Sequence, residues 1–228
     1  MNVVDLLVKY PYFAEVVAGI RRPGAYRWLD FTQQNADLDR LDLADTAAFD
    51  DYVFGKRLEG GKYLGVGGYA EHRTIYHRSA HFSTANEEPR CIHLGMDVWA
   101  QAGTPVYAPL AGQVHSFGFN DRFGDYGPTI ILEHSLESYT FYTLYGHLSL
   151  SSLEGMEAGR PLQAGEAFAT IGTYPENGHW PSHLHFQIIT DIGTHRGDFP
   201  GVCTLSDRDR YLALCPDPNL MLQIPSGT

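Results

Sequence analysis

The sequence predicts a mainly β protein: an antiparallel β sandwich or barrel-sandwich hybrid core with a short helical N-terminal extension. Three observations point there. Aromatic residues and glycine are plentiful, with 14 Tyr, 12 Phe and 24 Gly, a mix that suits strands joined by tight turns. From residue 89 onward, short runs rich in Val, Ile, Phe, Tyr and Thr alternate with Gly, Pro, Asn and Asp, the texture of a sandwich or barrel. Helical spacing of apolar residues appears instead in two stretches near the N-terminus.

The first of these places Val4, Leu7, Val8, Phe13, Val16, Val17 and Ile20 at roughly helical intervals. Pro11 interrupts the run, so two short helices are the most it allows. Pro23-Gly24 closes this segment. Residues 35–55 are acidic with interleaved Leu, Ala and Phe and predict a further amphipathic helix. Gly60, Gly61, Gly65, Gly67 and Gly68 match neither phosphate-binding order and are expected to form a turn leading into the core. Strands are expected at Thr104–Ala108, Gly112–Phe117, Thr129–His134, Tyr139–Leu144, Phe168–Ile171 and His183–Thr190. Pro200, Pro216, Pro218 and Pro225 then suggest a strap lying over the core. The chain accordingly divides into an extension (1–88), a core (89–198) and a C-terminal strap (199–228), within the size of a single catalytic domain.

With 43% hydrophobic and 19% charged residues, the composition is that of a folded globular protein. The formal charge of −11 sets long-range repulsion against nucleic acid and anionic lipid, so neither is expected as a partner. Met1–Tyr10 (MNVVDLLVKY) has no basic leader region, carries an acid at Asp5, and its apolar stretch stops at Lys9. That is not a secretory signal, and no later apolar run is long enough to span a bilayer. A cytoplasmic location is the resulting expectation. Cys91, Cys203 and Cys215 are odd in number and form no C-x-x-C pair, which argues against a disulfide framework or a structural zinc knot. Cys91 reads as a small buried hydrophobe.

Eleven histidines make isolated His patterns cheap, so their strand context matters more than their spacing. In His93-Leu94-Gly95-Met96-Asp97, positions 93, 95 and 97 share one face of an extended chain. Gly95 leaves space between imidazole and carboxylate that a cation could use. His183 and His185 likewise share a face, with Leu184 and Phe186 behind. Phe141, Thr143, Tyr145 and His147 form another period-two row, which puts His147 at a strand end. Taken jointly, these five side chains favour a zinc site over five unrelated surface histidines and acids. Glu71 and Arg73 read as a surface ion pair, and His179 as a residue that could touch substrate.

The segments I-H93-L-G-M-D97, A102-G-T-P-V-Y-A-P109, A111-G-Q-V114, Y145-G-H147-L-S, A164-G-E-A-F-A-T-I-G172 and H183-L-H185-F resemble, in order and separation, the lysostaphin/LytM-type zinc metalloendopeptidases over about residues 89–190. The resemblance implies zinc held by His93, Asp97 and His185, with His147 and His183 acting in catalysis. It further implies a metallopeptidase that cleaves a peptide amide bond with metal-activated water. Two neutral imidazoles and one carboxylate would leave a zinc site of charge about +1 with a fourth position open to water. His147 and His183 could exchange protons with that water and with the departing amine, in roles that the sequence leaves interchangeable. His134 resembles a structural histidine of the family.

Two departures bear on substrate. The family's Gly/Ser-rich loop before H-x-H is Pro175-Glu176-Asn177-Gly178-His179-Trp180-Pro181-Ser182 here, and Gln187 stands where a Glu is usual. The stretches W180–Q187, D198–V202 and C215–N219 resemble a branch without secretion signals, some members of which are fused to aminotransferase-like domains. A zinc amidase for a small intracellular substrate is therefore an alternative, as is a non-catalytic LytM-type activator, although both ligand motifs stand. A cupin-like oxygenase would need a Glu and a further His after His185 at barrel-strand spacing, and only His195 remains. Substrate identity and oligomeric state are not readable from the chain.

Overall fold

The computed structural model describes residues 2–83 and 87–225. Its strands are β1 (Tyr26–Leu29), β2 (Leu64–Gly67), β3 (Arg90–His93), β4 (Met96–Trp99), β5 (Pro105–Tyr107), β6 (Gly112–Asn120), β7 (Gly127–Leu136), β8 (Tyr139–Gly146), β9 (Pro161–Leu162), β10 (Ala167–Thr170), β11 (His183–Ile189) and β12 (Val202–Thr204). Its α-helices are α1 (Val3–Lys9), α2 (Thr46–Asp50), α3 (Arg208–Leu214) and α4 (Asn219–Leu222). The protein is mainly β, and all six strands expected from the core sequence are present.

Eight strands form one sheet in the order β1-β2-β4-β11-β8-β7-β6-β9. Its pairs are antiparallel except β1–β2, which is parallel. The sheet is therefore mixed, and with β1 and β9 left as edges it does not close into a barrel. Parallel neighbours need a crossover rather than a hairpin. Here the crossover is the acidic stretch after β1, with a 3-10 turn at Leu38–Arg40, then α2 running on into a π-helical segment, Asp51–Arg57. Asp45 caps α2 by accepting from the N–H groups of Ala47 and Ala48.

Near the N-terminus, α1 is closed by a reciprocal capping box between Asn2 and Asp5, and it ends before Pro11. The apolar residues beyond that proline are not helical. Phe13, Val16, Val17 and Ile20 nevertheless enter the main core, because burial is satisfied by packing on strands as well as by helix formation. The glycine-rich stretch also departs from expectation, since Leu64–Gly67 is a strand, not a turn. A Cβ at Gly65 would stand 2.9 Å from Trp99 Cβ, and one at Gly67 would stand 2.7 Å from Arg73 Nη2. Glycine is what lets this strand lie against β4.

Period-two alternation divides the central strands cleanly. Met96, Val98, Leu184, Phe186, Ile188 and Tyr145 face the main core, which the β5–β10 pair and residues 13–20 cover. Asp97, Trp99, His183, His185 and Gln187 face the other way. Over that second face lie the β3–β12 pair and an aromatic cluster from residues 29–82 that includes Phe31, Phe49, Tyr76 and Phe82. The candidate site is thus sandwiched between the sheet and the covering segments.

Candidate metal centre and its cleft

Strand register brings the predicted residues together. In the β4–β11 ladder His185 lies directly opposite Asp97, and His183 directly opposite Trp99, so each pair shares a face. His93 arrives differently. The H-x-x-x-D segment is not one continuous strand: β3 pairs with β12, β4 belongs to the large sheet, and the chain changes sheet at Leu94-Gly95. A Cβ on Gly95 would lie 2.5 Å from the His185 ring, so this glycine makes room for an imidazole rather than directly for a cation.

His93 Nε2 stands 3.0 Å from His185 Nδ1, and each lies 3.2 Å from Asp97 Oδ1. Zinc bonds of about 2.0–2.1 Å at tetrahedral angles set ligand atoms about 3.3–3.4 Å apart, close to this triangle. Asp97 Oδ1 is also buried without a hydrogen-bond partner, a costly state for a carboxylate oxygen unless a cation meets it. The three residues are the one group of potential metal-holding side chains among the described residues. Their chemistry and spacing fit a divalent cation.

Surrounding hydrogen bonds aim each donor atom. His93 Nδ1 donates to Gly68 O (2.9 Å), leaving the Nε2 lone pair inward. His185 Nε2 donates to Gln187 Oε1 (2.9 Å), leaving Nδ1 inward. Gln187 is itself oriented, because its Nε2 donates to Pro200 O (3.1 Å) and Cys215 Sγ (3.2 Å). A neutral amide oxygen therefore does here the orienting work that a carboxylate commonly does behind a ligating histidine.

Arg73 corrects the reading of a surface pair. Its side chain is 1% exposed, and it spans Asp97 Oδ2 (2.5 Å) and Glu71 Oε2 (2.9 Å). Its Nη2 reaches Gly68 O at 3.2 Å. With one oxygen claimed by the guanidinium, Asp97 presents only Oδ1 to the two imidazoles. Burial opposes charge on Asp97, but His93 and Arg73 hold the carboxyl well below its ordinary value. Burial likewise lowers His93 to about 4.

His147 and His183 stand beside this triad with rings 4.2 Å apart. Trp99 stacks on His183 at 4.1 Å. His147 does follow the end of a strand, as the period-two row predicts, but it does not share the face of that row. Tyr145 points into the opposite core, and His147 adopts a left-handed backbone (φ 61°) just past β8, which swings its ring back to the site. Its Nδ1 donates to Asn177 O, and that of His183 to Pro181 O, both at 2.8 Å, leaving Nε2 as the basic atom of each ring. Burial pushes His147 well below the usual imidazole value and His183 down to about 4, so both are neutral at pH 7.

All five side chains are between 1% and 5% exposed. They open on a cavity of about 100 Å³ that Tyr76, Phe82, Tyr126 and Trp180 also line. These aromatic walls, like Arg73, escaped sequence reasoning. Gly146 and Gly201 are the faint signal for Tyr126, since a Cβ on either would strike its ring or hydroxyl. His179 is not among the lining residues; its carbonyl instead accepts from Thr46 and Arg78. Cys91 is a buried core residue, as expected.

Residues 91–196 match the model of "Peptidase family M23". Similar curated proteins include an L-Ala--D-Glu endopeptidase of Bacillus subtilis (strain 168), 28% identical over 54% of this chain and 37% of that protein. An uncharacterized lipoprotein, YgeR, of Escherichia coli (strain K12) is 33% identical over 41% of this chain and 33% of its own length. The chain thus spans about a third of these relatives. Among solved structures, the antimicrobial peptidase lysostaphin from Staphylococcus simulans aligns with TM-score 0.40 and 21% identity, over 68% of this chain and 48% of that one. No helix among the described residues is long and apolar enough to cross a membrane.

Proposed function

Given that this chain belongs, through residues 91–196, to peptidase family M23 and its lysostaphin/LytM type, we propose that it is a zinc-dependent hydrolase of peptide amide bonds. The observation that supports this most directly is the convergence of His93 Nε2, Asp97 Oδ1 and His185 Nδ1 with their lone pairs turned inward. In this reading those three residues hold the ion, and His147 and His183 handle protons.

When bound, zinc supplies Lewis acidity that polarises the scissile carbonyl and makes water a nucleophile near neutral pH. The chain's own residues do the rest. Neutral His147 and His183 each offer an Nε2 lone pair to a water proton, and their Nδ1–H bonds to Asn177 O and Pro181 O fix the rings while a proton is held. The water oxygen joins the carbonyl carbon, the C–N bond breaks, and the nitrogen leaves with a proton returned from an imidazole. Buried walls keep bulk water from competing for these groups.

His185→Ala removes a ligand without touching either proposed base. It is expected to abolish both stoichiometric zinc, measured by atomic emission, and hydrolysis of a peptide library by zinc-loaded protein. Full activity in the variant would overturn the ligand assignment. Wild-type protein without stoichiometric zinc would instead favour a non-catalytic activator.

A further inference from the structure

The same cavity bears on substrate size, and the inference rests on the hydrolase reading just given. We infer that this cleft is a pocket narrowed on one side, which prefers a short amide to the interior of a long peptide, because residues 73–82 are bonded across that side.

Two banks of the cleft are joined. Tyr76 and Phe82 stand on one side with ring centroids 4.6 Å apart, and each lies 6.4 Å from Trp180 on the other. Between them Arg78 acts as a rivet. Its guanidinium lies 4.5 Å from the Trp180 ring and 4.8 Å from that of Phe123, and its Nη2 donates to His179 O at 3.0 Å. Ser79 Oγ donates to Phe123 O at 2.5 Å. The covering segment is thus bonded both to the loop before β7 and to the loop before β11, each of which contributes a wall of the cavity.

The volume gives the consequence. The cavity beside this bridge is small, about 100 Å³, so the groups that flank a scissile bond must extend through its open side rather than past the bridge. An extended chain advances about 3.3 Å per residue, so an interior bond with residues on both sides would have to run past the bridging contacts of Arg78 and Ser79. Both donors and acceptors line the cavity. The Trp180 indole N–H is buried without an acceptor, although the residue lines the cavity. Arg90, over the Phe82 ring at 5.4 Å, brings positive charge to the lining, and Asp125 and Asp198 bring negative charge to it. The family resemblance alone implies cleavage within longer peptides.

The test compares the zinc-loaded protein on a panel of dipeptides and N-acyl amino acids with long peptides blocked at both ends. The small amides should exceed the blocked peptides in kcat/KM by roughly a hundredfold or more. Arg78→Ala and Phe82→Ala, which touch no proposed ligand or base, should narrow that ratio by about tenfold or more. Interior cleavage of blocked peptides as fast as that of small amides would overturn the inference, as would variants that leave the ratio unchanged. If nothing is hydrolysed, the hydrolase reading fails, and binding still decides the pocket. Calorimetry on wild-type zinc-loaded protein should find acetohydroxamate bound and a hydroxamate flanked by peptide on both sides bound about tenfold more weakly or not at all. The reverse order would sink the narrowed pocket.

Discussion

Arg73 shows how much one side chain adds to a site whose candidate ligands the sequence already singles out. A guanidinium almost wholly out of water needs partners, and it has two carboxylates and the carbonyl of Gly68. Arg73→Met would leave Asp97 Oδ2 buried without that partner. The variant should lose about 3–5 kcal/mol in urea denaturation of metal-free protein; a loss of about 1 kcal/mol or less would mark a solvated pair. His93, Asp97 and His185 were legible because their spacing meets strand periodicity and family motif at once. Arg73 was not, because its partner lies 24 positions away on a strand whose neighbour is set only by folding. In isolation, an Arg two residues from a Glu looks like any surface pair. His147 lies between these cases: its identity could be read from the motif, but the left-handed turn that aims it could not.

At the scale of elements, the core strands were legible because alternation and turn residues act locally. β1 and β2 were not. β2 reads as a loop because glycine replaces the side chains that normally announce a strand, and the reason lies in Trp99 and Arg73 across the ladder. Gly67→Ala tests this without invoking any special backbone angle. Its Cβ would meet Arg73 Nη2 at 2.7 Å and Trp99 Nε1 at 3.3 Å. The expected cost is about 1–3 kcal/mol by overpacking, read as a lower midpoint in urea with an unchanged denaturant slope. A neutral or stabilising result would show that the guanidinium has room to move. The sheet change at Leu94-Gly95 was equally hidden, since a break between two sheets and a continuous strand share the same alternation.

For the whole molecule, the buried imidazoles tie stability to pH. His134 is the clearest case, being remote from the metal triad: fully buried in β7, it bonds Ala111 O through Nδ1 and Thr143 Oγ1 through Nε2. Burial lowers it from 6.5 to about 4. Between those values the unfolded chain takes up a proton that the folded one refuses. Stability should therefore fall as pH falls through that window, by about 1.4 kcal/mol per pH unit for this group. His134→Gln should flatten the slope by that amount in urea titrations from pH 6.5 down to about 4.5; parallel curves would place the proton uptake elsewhere.

The carbonyl of Gly68 accepts from both His93 Nδ1 and Arg73 Nη2. One oxygen atom thereby links the tautomer of one candidate ligand to the clamp on another, and a rotation of that single peptide plane would loosen both together. Grafting the histidines and aspartate onto a foreign scaffold would reproduce the motif while omitting this shared acceptor. A transplant that works would have to bring the glycine strand with it.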